Sequence, residues 1–459
     1  MLAALDPAAT PPRRILAGRQ AWLVTGTLAV LVAVGVPALG SDPWPFRPGH
    51  VHPTGIFAAA VRAAHERWDL GVLRTPAVLG GVLVAALAVL VLASGRLQLR
   101  LAAAATVVVT VLLLFPGVVL QSGLRQSTAP WFYTNDSTYQ IELAGRLVRH
   151  GHDPYGHDYR SSGLERFYSL DGSRPPPTAQ RQVALRHFAY FPGTALLAAA
   201  WGVLPTPLDD YRFLVALCAL ALLPAALLFP GPLGLRLAIG AALAANPLIT
   251  RAAWLGTADA PSLLLLVLAF GLATRSRWTW AAASLGGAIL VKQFALVALP
   301  FFAIYMLRRT NRDELRRPAA AFCAVLLAGF LPFLIAGPGA LWHDTVTYGA
   351  GTYRIIGYGL AALLLRAHAL HSRTAYYPFV PLLAAVWLPV TAWLLRLQWR
   401  SQAAWTGAAA FTASMFLLLF LARVFQTSYL IWPLVGGALA VLLAAEPQGL
   451  TTTTTARAE

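Results

Sequence analysis

The sequence predicts an all-α polytopic membrane protein of about twelve transmembrane helices, with a large outer loop that bears amphipathic helices. Of its 459 residues, 58% are hydrophobic and only 12% are charged, which is half the charged share of about 25% in soluble globular domains. Several uncharged runs approach the roughly 20 residues that cross a bilayer; they include 22–39, 78–93, 101–120 and 319–336. These observations exclude a soluble enzyme, a DNA-binding domain and a disordered scaffold.

The basic residues predict the topology. The net charge is +17, and 34 arginines and one lysine carry the positive charge. Cytoplasmic loops of membrane proteins collect basic residues, so no nucleic-acid partner is needed to explain the charge. If every arginine-rich segment is cytoplasmic, the chain forms about six hairpins with both termini inside. Their outward tops lie near 41–75, 121–210, 247–259, 292, 337–375 and 423–429.

Three segments need a specific interpretation. The first apolar run, of about 18 residues, exceeds the 7–15 of a signal-peptide core, so we interpret it as a retained span. Residues 278–307 are interpreted as two short spans that turn at Lys292, because a single crossing would place five arginines outside. Residues 190–204 are apolar, but a crossing there would invert every later loop, so we expect them to lie on or dip into the outer leaflet.

The chain divides into three parts. Residues 1–100 form a cytoplasmic N-terminus and an extra N-terminal hairpin, and residues 101–445 form the main transmembrane domain. Residues 446–459 form a low-complexity tail that is expected to be disordered and cytoplasmic. Within the main domain, the outer loop 121–210 holds eight of the 18 acidic residues. Loops this long commonly carry function.

Asp136 is the strongest candidate in the outer loop. It precedes an amphipathic helix with Ile141 and Ala144 on its apolar face. The spacing Ser137-x-x-Gln140 fits a capping box, which predicts Ser137 as the helix N-cap and places Asp136 one residue outside. The alternative is that Asp136 is itself the cap. A carboxylate beside the aromatic residues 131–133 at the membrane interface is well placed to accept a proton.

Lys292 is the strongest candidate cation. It is the sole lysine of the chain and stands between two apolar stretches, where its alternative role is to snorkel to the interface. Because a lysine ammonium binds phosphate well as a point charge, we expect a phosphate contact. Arg423 could add a second positive charge. Arg251 and Asp259 either bind substrate or form a structural pair with each other.

The sequence predicts no metal site. His150, His152 and His157 match no zinc spacing, although Asp153 and Asp158 could join them around a divalent ion. No cofactor is expected, and a divalent metal is left open. The two cysteines have neither a C-x-x-C spacing nor a histidine partner.

Several short motifs together resemble the GT-C membrane glycosyltransferases, and most of all the bacterial polyprenyl-phosphate-mannose-dependent α-mannosyltransferases. They cover about residues 101–440. The motifs are the Asn135–Asp136 pair, the Gly151–His–Asp–Pro–Tyr155 helix end, Tyr190–Phe–Pro192, Gly256–Thr–Ala–Asp259, and Lys292 after Gly286–Gly287. The sequence departs from the family at Thr257, where a Gln is usual, and in the extra hairpin 21–94.

The resemblance implies a hexosyltransferase, inverting at the donor sugar, that moves a sugar, expected to be mannose, from a polyprenyl-phosphate donor to a lipid-linked or polysaccharide acceptor. It implies a site on the periplasmic or outer face of a bacterial plasma membrane, with a carboxylate of the first outer loop as general base, which we assign to Asp136. We expect Lys292, Arg423 and Arg251 at the donor phosphate. The expected substrate-binding residues are Asn135, Tyr155, Asp259, His343 and Asp344.

Other functions stay open. Arabinofuranosyl transfer is the variant within the same fold, and a transporter or flippase of lipid-linked glycans is the alternative outside it. Transporters tend to show internal repeats, and we find none here. A non-enzymatic scaffold would leave Asp136 and Lys292 unexplained. The rival carboxylates to Asp136 are Asp344 and Asp153.

Overall fold

The computed structural model describes residues 50–66, 79, 82, 86, 99–129, 135–168, 185–257, 259–348, 355–401 and 403–445. These residues are mostly helical, as the sequence predicts. In chain order the α-helices are α1 (Ala58–Ala63), α2 (Leu99–Ser127), α3 (Asp136–Arg149), α4 (Pro192–Trp201), α5 (Tyr211–Ala226), α6 (Leu233–Ala244), α7 (Pro247–Leu255), α8 (Asp259–Ala273), α9 (Trp278–Val291), α10 (Leu299–Leu307), α11 (Arg316–Ala336), α12 (Pro338–Trp342), α13 (Leu360–Arg366), α14 (Phe379–Leu382), α15 (Leu388–Arg400), α16 (Trp405–Leu421) and α17 (Ile431–Ala444).

Short elements complete the described chain. 3-10 or π-helical turns occur at Leu164–Tyr168, Gln293–Ala298, Arg312–Leu315, His343–Thr347, Leu383–Trp387 and Thr427–Leu430. The strands are β1 (His50–Val51), β2 (Thr128–Ala129), β3 (Ile356–Gly357) and β4 (Val424–Phe425). Strand β1 pairs with β2 antiparallel, and β3 pairs with β4 in parallel.

Four helical segments within the described residues are long and apolar enough to cross a membrane. They are Arg100–Ser127, Asp313–Ala336, Phe379–Arg400 and Thr427–Ala444. A bent pair, α6 with α7 at 48°, makes a fifth if it is one span, and five further apolar helices have 10–17 residues. The first predicted span, the second apart from residues 79, 82 and 86, and the tail 446–459 lie outside the described residues. The count of twelve therefore stays a prediction.

Helix α11 presents its apolar side chains outward. Its most apolar window has a mean hydropathy of 2.4, yet only 11% of that window is buried. Leu327 and Ile335 are 58% and 75% exposed. A soluble monomer rarely exposes a continuous apolar surface of this kind, which supports membrane association.

The chain turns back at Lys292, as the sequence predicts. Helices α8 and α9 form an antiparallel hairpin in which the Ser262 hydroxyl donates to the Ala288 carbonyl at 2.7 Å. After Lys292 the chain returns along them, because the rings of Trp278 and Tyr305 lie 6.3 Å apart. One continuous helix would separate these two residues by about 40 Å.

One predicted boundary of the outer loop needs correction, whereas the apolar segment near its other end is as short as expected. Helix α2 does not end near residue 120 but continues to Ser127, because Gln121, Ser122 and Arg125 on its last turns are buried against other polar groups rather than solvated. Residues 190–204 form only the ten-residue helix α4. Its length of about 15 Å is half the hydrocarbon thickness, which agrees with the expectation that this segment does not cross.

Helices α3 and α4 pack closely on each other. A side chain at Gly145 of α3 would meet the Ala198 and Ala199 backbone of α4 at 2.7–2.8 Å, so glycine permits the close approach. The predicted apolar face of α3 is confirmed, since Ile141 and Ala144 are fully buried. This helical pair positions the residues described next.

Candidate functional site

Asp136 begins helix α3, and its neighbour caps the helix. Asn135 has an extended backbone, and its Oδ1 accepts the amides of Ser137 at 2.9 Å and Thr138 at 3.3 Å. The prediction of Ser137 as the N-cap is therefore wrong, since the equally good cap Asn135 stands two residues earlier. Asp136 is half-buried in the first turn, where the Ser137 amide donates to its Oδ1 at 2.8 Å. The aromatic residues 131–133 lie outside the described residues.

Lys292 lies at the turn after α9 and pairs with Asp259 at the start of α8. Its Nζ is 3.6 Å from the Asp259 Oδ1, and it also lies 5.0 Å from the Tyr190 ring centroid and 5.7 Å from that of Phe294. Only 8% of Lys292 and 3% of Asp259 is exposed. This ammonium is thus enclosed and does not snorkel into water.

Two further contacts orient Asp259. The Trp432 indole donates to its Oδ1 at 3.0 Å, and the Thr257 hydroxyl donates to its Oδ2 at 3.1 Å. Thr257 thus supports a carboxylate, which gives it a local role in place of the expected Gln. The backbone of Arg251 belongs to α7, but its side chain lies outside what the structure describes, so the alternative Arg251–Asp259 pair is untested.

Helix α3 reaches the Lys292–Asp259 pair through Gly256. This glycine has a φ of +72°, and a side chain there would lie 2.8 Å from the Thr138 Cγ2. The left-handed backbone and the close approach both require glycine. The first turn of α3, which carries Asp136, consequently abuts the loop that leads to Asp259.

A second polar cluster forms around Asp344, which is 1% exposed. Its Oδ2 accepts the amides of Gly156 at 2.9 Å and Phe188 at 3.2 Å. Its Oδ1 lies 2.6 Å from the His187 Nδ1 and 3.9 Å from the His343 Nδ1. The cluster therefore joins three segments that are distant in sequence.

Asp153 lies beside this cluster. Burial raises its pKa, the hydrogen bond from the Tyr155 amide opposes this shift, and the charge of Asp344 raises the pKa further. Tyr155 is buried, and its hydroxyl donates to the Tyr190 carbonyl at 2.8 Å. The structure thus gives Tyr155 a positioning contact with the backbone of residue 190.

Residues 187–191 connect the two clusters. His187 contacts Asp344, and Tyr190 lies against Lys292; these two residues are at most about 11 Å apart along the backbone. Gln140 of α3 donates to the His187 carbonyl at 2.9 Å, and Gln293 donates to the Ala189 carbonyl at 3.1 Å. One end of the helix bundle therefore brings together α3, Lys292–Asp259 and His187–Asp344.

Arg423 lies with the second long loop. It is 6% exposed, and its guanidinium donates to the Ala375 carbonyl at 3.2 Å. No described contact joins Arg423 to Lys292. The turn Thr427–Leu430, which follows Arg423, packs against α7, the helix that carries Arg251.

A buried charge network that the sequence did not predict lies beneath α3. Arg125 is 2.7 Å from Asp209, 3.6 Å from Glu142 and 3.5 Å from Asp210, and Asp210 also pairs with Arg212 at 2.6 Å. A cavity of about 160 Å³ lies beside Arg125. Three carboxylates outnumber two guanidiniums here, so the network suits packing of α2, α3 and α5 better than phosphate binding.

The histidines of the outer loop do not assemble a metal site with one another. His150 and His152 are exposed, and the His157 ring meets the Tyr159 ring edge to face at a centroid distance of 4.9 Å. Asp158 pairs with Arg160, whose hydrogen bonds lower the pKa of Asp158 to about 2. Within the described residues, the group that could hold a metal is His187, His343 and Asp344.

His187 is the site residue that sequence reasoning missed. It stands three residues before the Tyr190–Phe–Pro192 motif, and its partner Asp344 is 157 positions away, so the local sequence carried no signal for it. Comparisons with protein-family models, with curated proteins and with solved structures found no match.

Proposed function

We propose that the chain is a membrane glycosyltransferase of the GT-C type. It moves a sugar, expected to be mannose, from a polyprenyl-phosphate donor to a lipid-linked or polysaccharide acceptor. Asp136 is the general base and Lys292 binds the donor phosphate. The predicted twelve-span topology belongs to this proposal, with the site on the outer face of a bacterial plasma membrane.

One observation carries the proposal: the carboxylate of Asp136 and the enclosed ammonium of Lys292 belong to segments that pack together at one end of the helix bundle. Asp136 opens α3, and Thr138 in the same turn contacts Gly256, three residues before Asp259. Asp259 in turn holds Lys292. Glycosyl transfer from a phosphate donor needs these two groups, one to take a proton and one to compensate a leaving phosphate.

The transfer step balances with these residues alone. Asp136 takes the proton of the acceptor hydroxyl, and the oxygen attacks the anomeric carbon of the donor sugar. The bond between that carbon and the phosphate oxygen breaks, and polyprenyl phosphate leaves with the bonding pair. General-base assistance of this kind contributes about 10²–10⁴-fold to the rate, and attack from the side opposite the phosphate inverts the anomeric centre.

The surroundings of Lys292 suit a phosphate. Its distance of 3.6 Å to Asp259 exceeds the 2.7–3.2 Å of a hydrogen bond, and none of the described hydrogen bonds uses its ammonium. The N–H groups can therefore serve phosphate oxygens while Asp259, Tyr190 and Phe294 hold the side chain in place. In this proposal the polyprenyl chain lies against helix α11, whose apolar side is exposed.

The test is turnover of purified protein with a mannosyl polyprenyl phosphate and an acceptor lipid. Asp136→Asn should retain folding and donor binding but lower turnover by at least about 10²-fold, the low end for loss of a general base. Asp158→Asn is the matched control, because Asp158 belongs to the same loop but is exposed and paired with Arg160. It should retain normal turnover.

Near-normal turnover in Asp136→Asn would refute the assignment and direct the search to Asp344 and Asp153. Sugar transfer from an arabinofuranosyl donor, with none from the mannosyl donor, would favour the arabinofuranosyl variant. Movement of an intact lipid-linked glycan across vesicles, without any transfer, would favour a flippase.

A further inference from the structure

The Asp344 cluster has the composition and geometry of a metal site. One ligand atom each from His187, His343 and Asp344 lies within 4.8 Å of the others. We propose that these three residues bind a divalent transition metal of the zinc class. Two of these residues, His343 and Asp344, are also expected to bind substrate, but the metal proposal is tested separately from glycosyl transfer because its readout is metal binding.

The carboxylate of Asp344 is held as a metal ligand would be. The amides of Gly156 and Phe188 both donate to its Oδ2, so this oxygen is fixed by the backbone. Its Oδ1 faces the Nδ1 atoms of His187 and His343 at 2.6 and 3.9 Å. Outer hydrogen bonds that orient a ligand in this way commonly support metal sites.

The local charge favours a cation. Asp344 is 1% exposed, and Asp153 stands nearby as a second carboxylate, joined to the cluster through the turn 153–156. In the part of the chain that the structure describes, no Lys or Arg pairs with either carboxylate. The amides of Gly156 and Phe188 compensate part of the buried charge of Asp344. A divalent ion between its Oδ1 and the two imidazoles would add a full positive charge beside it.

The chemical types of the three ligand atoms indicate which metal ions would bind. Two imidazole nitrogens and one carboxylate oxygen suit Zn²⁺ and neighbouring transition metals, whereas Mg²⁺ and Ca²⁺ prefer all-oxygen sets. In zinc geometry, ligand atoms about 2.1 Å from the metal lie roughly 3.4 Å apart. The observed separations of 2.6 and 3.9 Å between the Asp344 Oδ1 and the two Nδ1 atoms bracket this value. The His187 ring is stacked on Tyr348, so metal binding requires the exposed His343 ring to turn toward the Asp344 Oδ1.

The site would leave room for a further ligand. Three protein ligands plus one open position is the arrangement of catalytic zinc, whereas structural zinc has four protein ligands. The His343 side chain is 59% exposed, so an ion and a small ligand can reach the cluster from solution. Binding would also tie the turn 153–156, residues 187–188 and the segment after α12 to one another.

Metal binding can be measured directly. The protein is purified in detergent without a histidine tag, treated with a chelator, and titrated with Co²⁺ while visible absorption is recorded. Zn²⁺ content after equilibrium dialysis gives the stoichiometry. We expect one site per chain, and we expect Zn²⁺ to displace Co²⁺.

Two variants test the ligands, and a third is their control. His343→Ala removes an exposed ligand without disturbing the core, and Asp344→Asn keeps an oxygen for the two backbone amides while it removes the charge. Each should weaken Co²⁺ binding by at least about 100-fold, the upper end of the 10–100-fold that loss of an outer-shell partner costs. His152→Ala is the matched control, since His152 is exposed on the same loop outside the cluster, and it should bind Co²⁺ like the parent.

The proposal is overturned if the parent protein binds neither Co²⁺ nor Zn²⁺ stoichiometrically. It is also overturned if His343→Ala and Asp344→Asn bind Co²⁺ as the parent does, or if His152→Ala loses binding equally. Because none of these readouts involves sugar transfer, loss of the metal proposal and loss of the glycosyltransferase proposal are separate results.

Discussion

Neutralising Lys292 should destabilise the protein, and neutralising Asp259 at the same time should restore it. Lys292→Met keeps an unbranched side chain, and its thioether packs well against the rings of Tyr190 and Phe294. The change leaves the carboxylate of Asp259 buried without its cation. In Asp259→Asn the amide oxygen still accepts from Trp432, but the ammonium is left without its anion.

The distance between the two charges sets the size of the expected loss of unfolding free energy. At 3.6 Å, two unit charges attract by about 4–5 kcal/mol with an effective dielectric constant near 20. Removing one partner of a buried pair costs about 3–5 kcal/mol, while replacing both by neutral groups is often close to neutral. We therefore expect each single variant to lose about 3–5 kcal/mol of unfolding free energy, and the double variant to lose less than about 2 kcal/mol.

The assay is unfolding in mixed detergent micelles, followed by tryptophan fluorescence, for the parent and the three variants. Donor binding is measured on the same samples. If Lys292 binds phosphate, the double variant will be folded but will bind the donor weakly. Lys292→Arg should bind the donor more weakly than the parent protein does, because a planar guanidinium differs in shape from an ammonium.

If the double variant loses as much unfolding free energy as the two single variants together, Lys292 and Asp259 are not a coupled ion pair. A loss of unfolding free energy below about 1 kcal/mol in Lys292→Met would also refute the pair. Normal donor affinity in a folded double variant would refute phosphate binding and leave Lys292 with a structural role only.

Two further predictions follow from the helix packing and the topology. Gly193→Ala should destabilise the protein by about 1–3 kcal/mol, because its new Cβ would lie 2.7 Å from the Leu290 backbone, whereas Gly339→Ala meets no atom within 4 Å and should be neutral. Equal unfolding free energies would contradict this close approach of α4 to α9. In a chain without its native cysteines, Arg160→Cys should react with an impermeant thiol reagent in intact cells and Asn311→Cys should not. External reaction at position 311 would contradict the topology.

Much of the fold follows from the sequence, because the bilayer constrains apolar helices so strongly. Uncharged runs of sufficient length can satisfy their backbone only as helices in lipid, so the helical class could be predicted. The turn at Lys292 followed from the parity of basic loops. The extension of α2 to Ser127 could not be predicted, since it depends on Arg125 meeting Asp209 across 84 positions.

The start of α3 shows how local patterns compete. Asn135 and Ser137 are both good N-caps, and the capping box favoured Ser137. The structure uses Asn135, which places Asp136 inside the first helical turn, where a negative charge also meets the positive end of the helix dipole. Because two N-cap residues of nearly equal strength lie two positions apart, tertiary contacts decide at which of them the helix begins.

His187 could not be identified from local sequence, because its partner Asp344 is 157 positions away. The Lys292–Asp259 pair is different, and the sequence did contain the signal for it. Residues 259–273 and 278–291 are consecutive antiparallel helices joined by a short turn, so the start of the first must lie beside the end of the second. That geometry alone places Asp259 next to Lys292. The sequence analysis considered only the nearer Arg251 as a partner of Asp259, because it weighted proximity along the chain above the hairpin. In a helical membrane protein the hairpin also decides which charges meet, whether or not Arg251 contacts Asp259 as well.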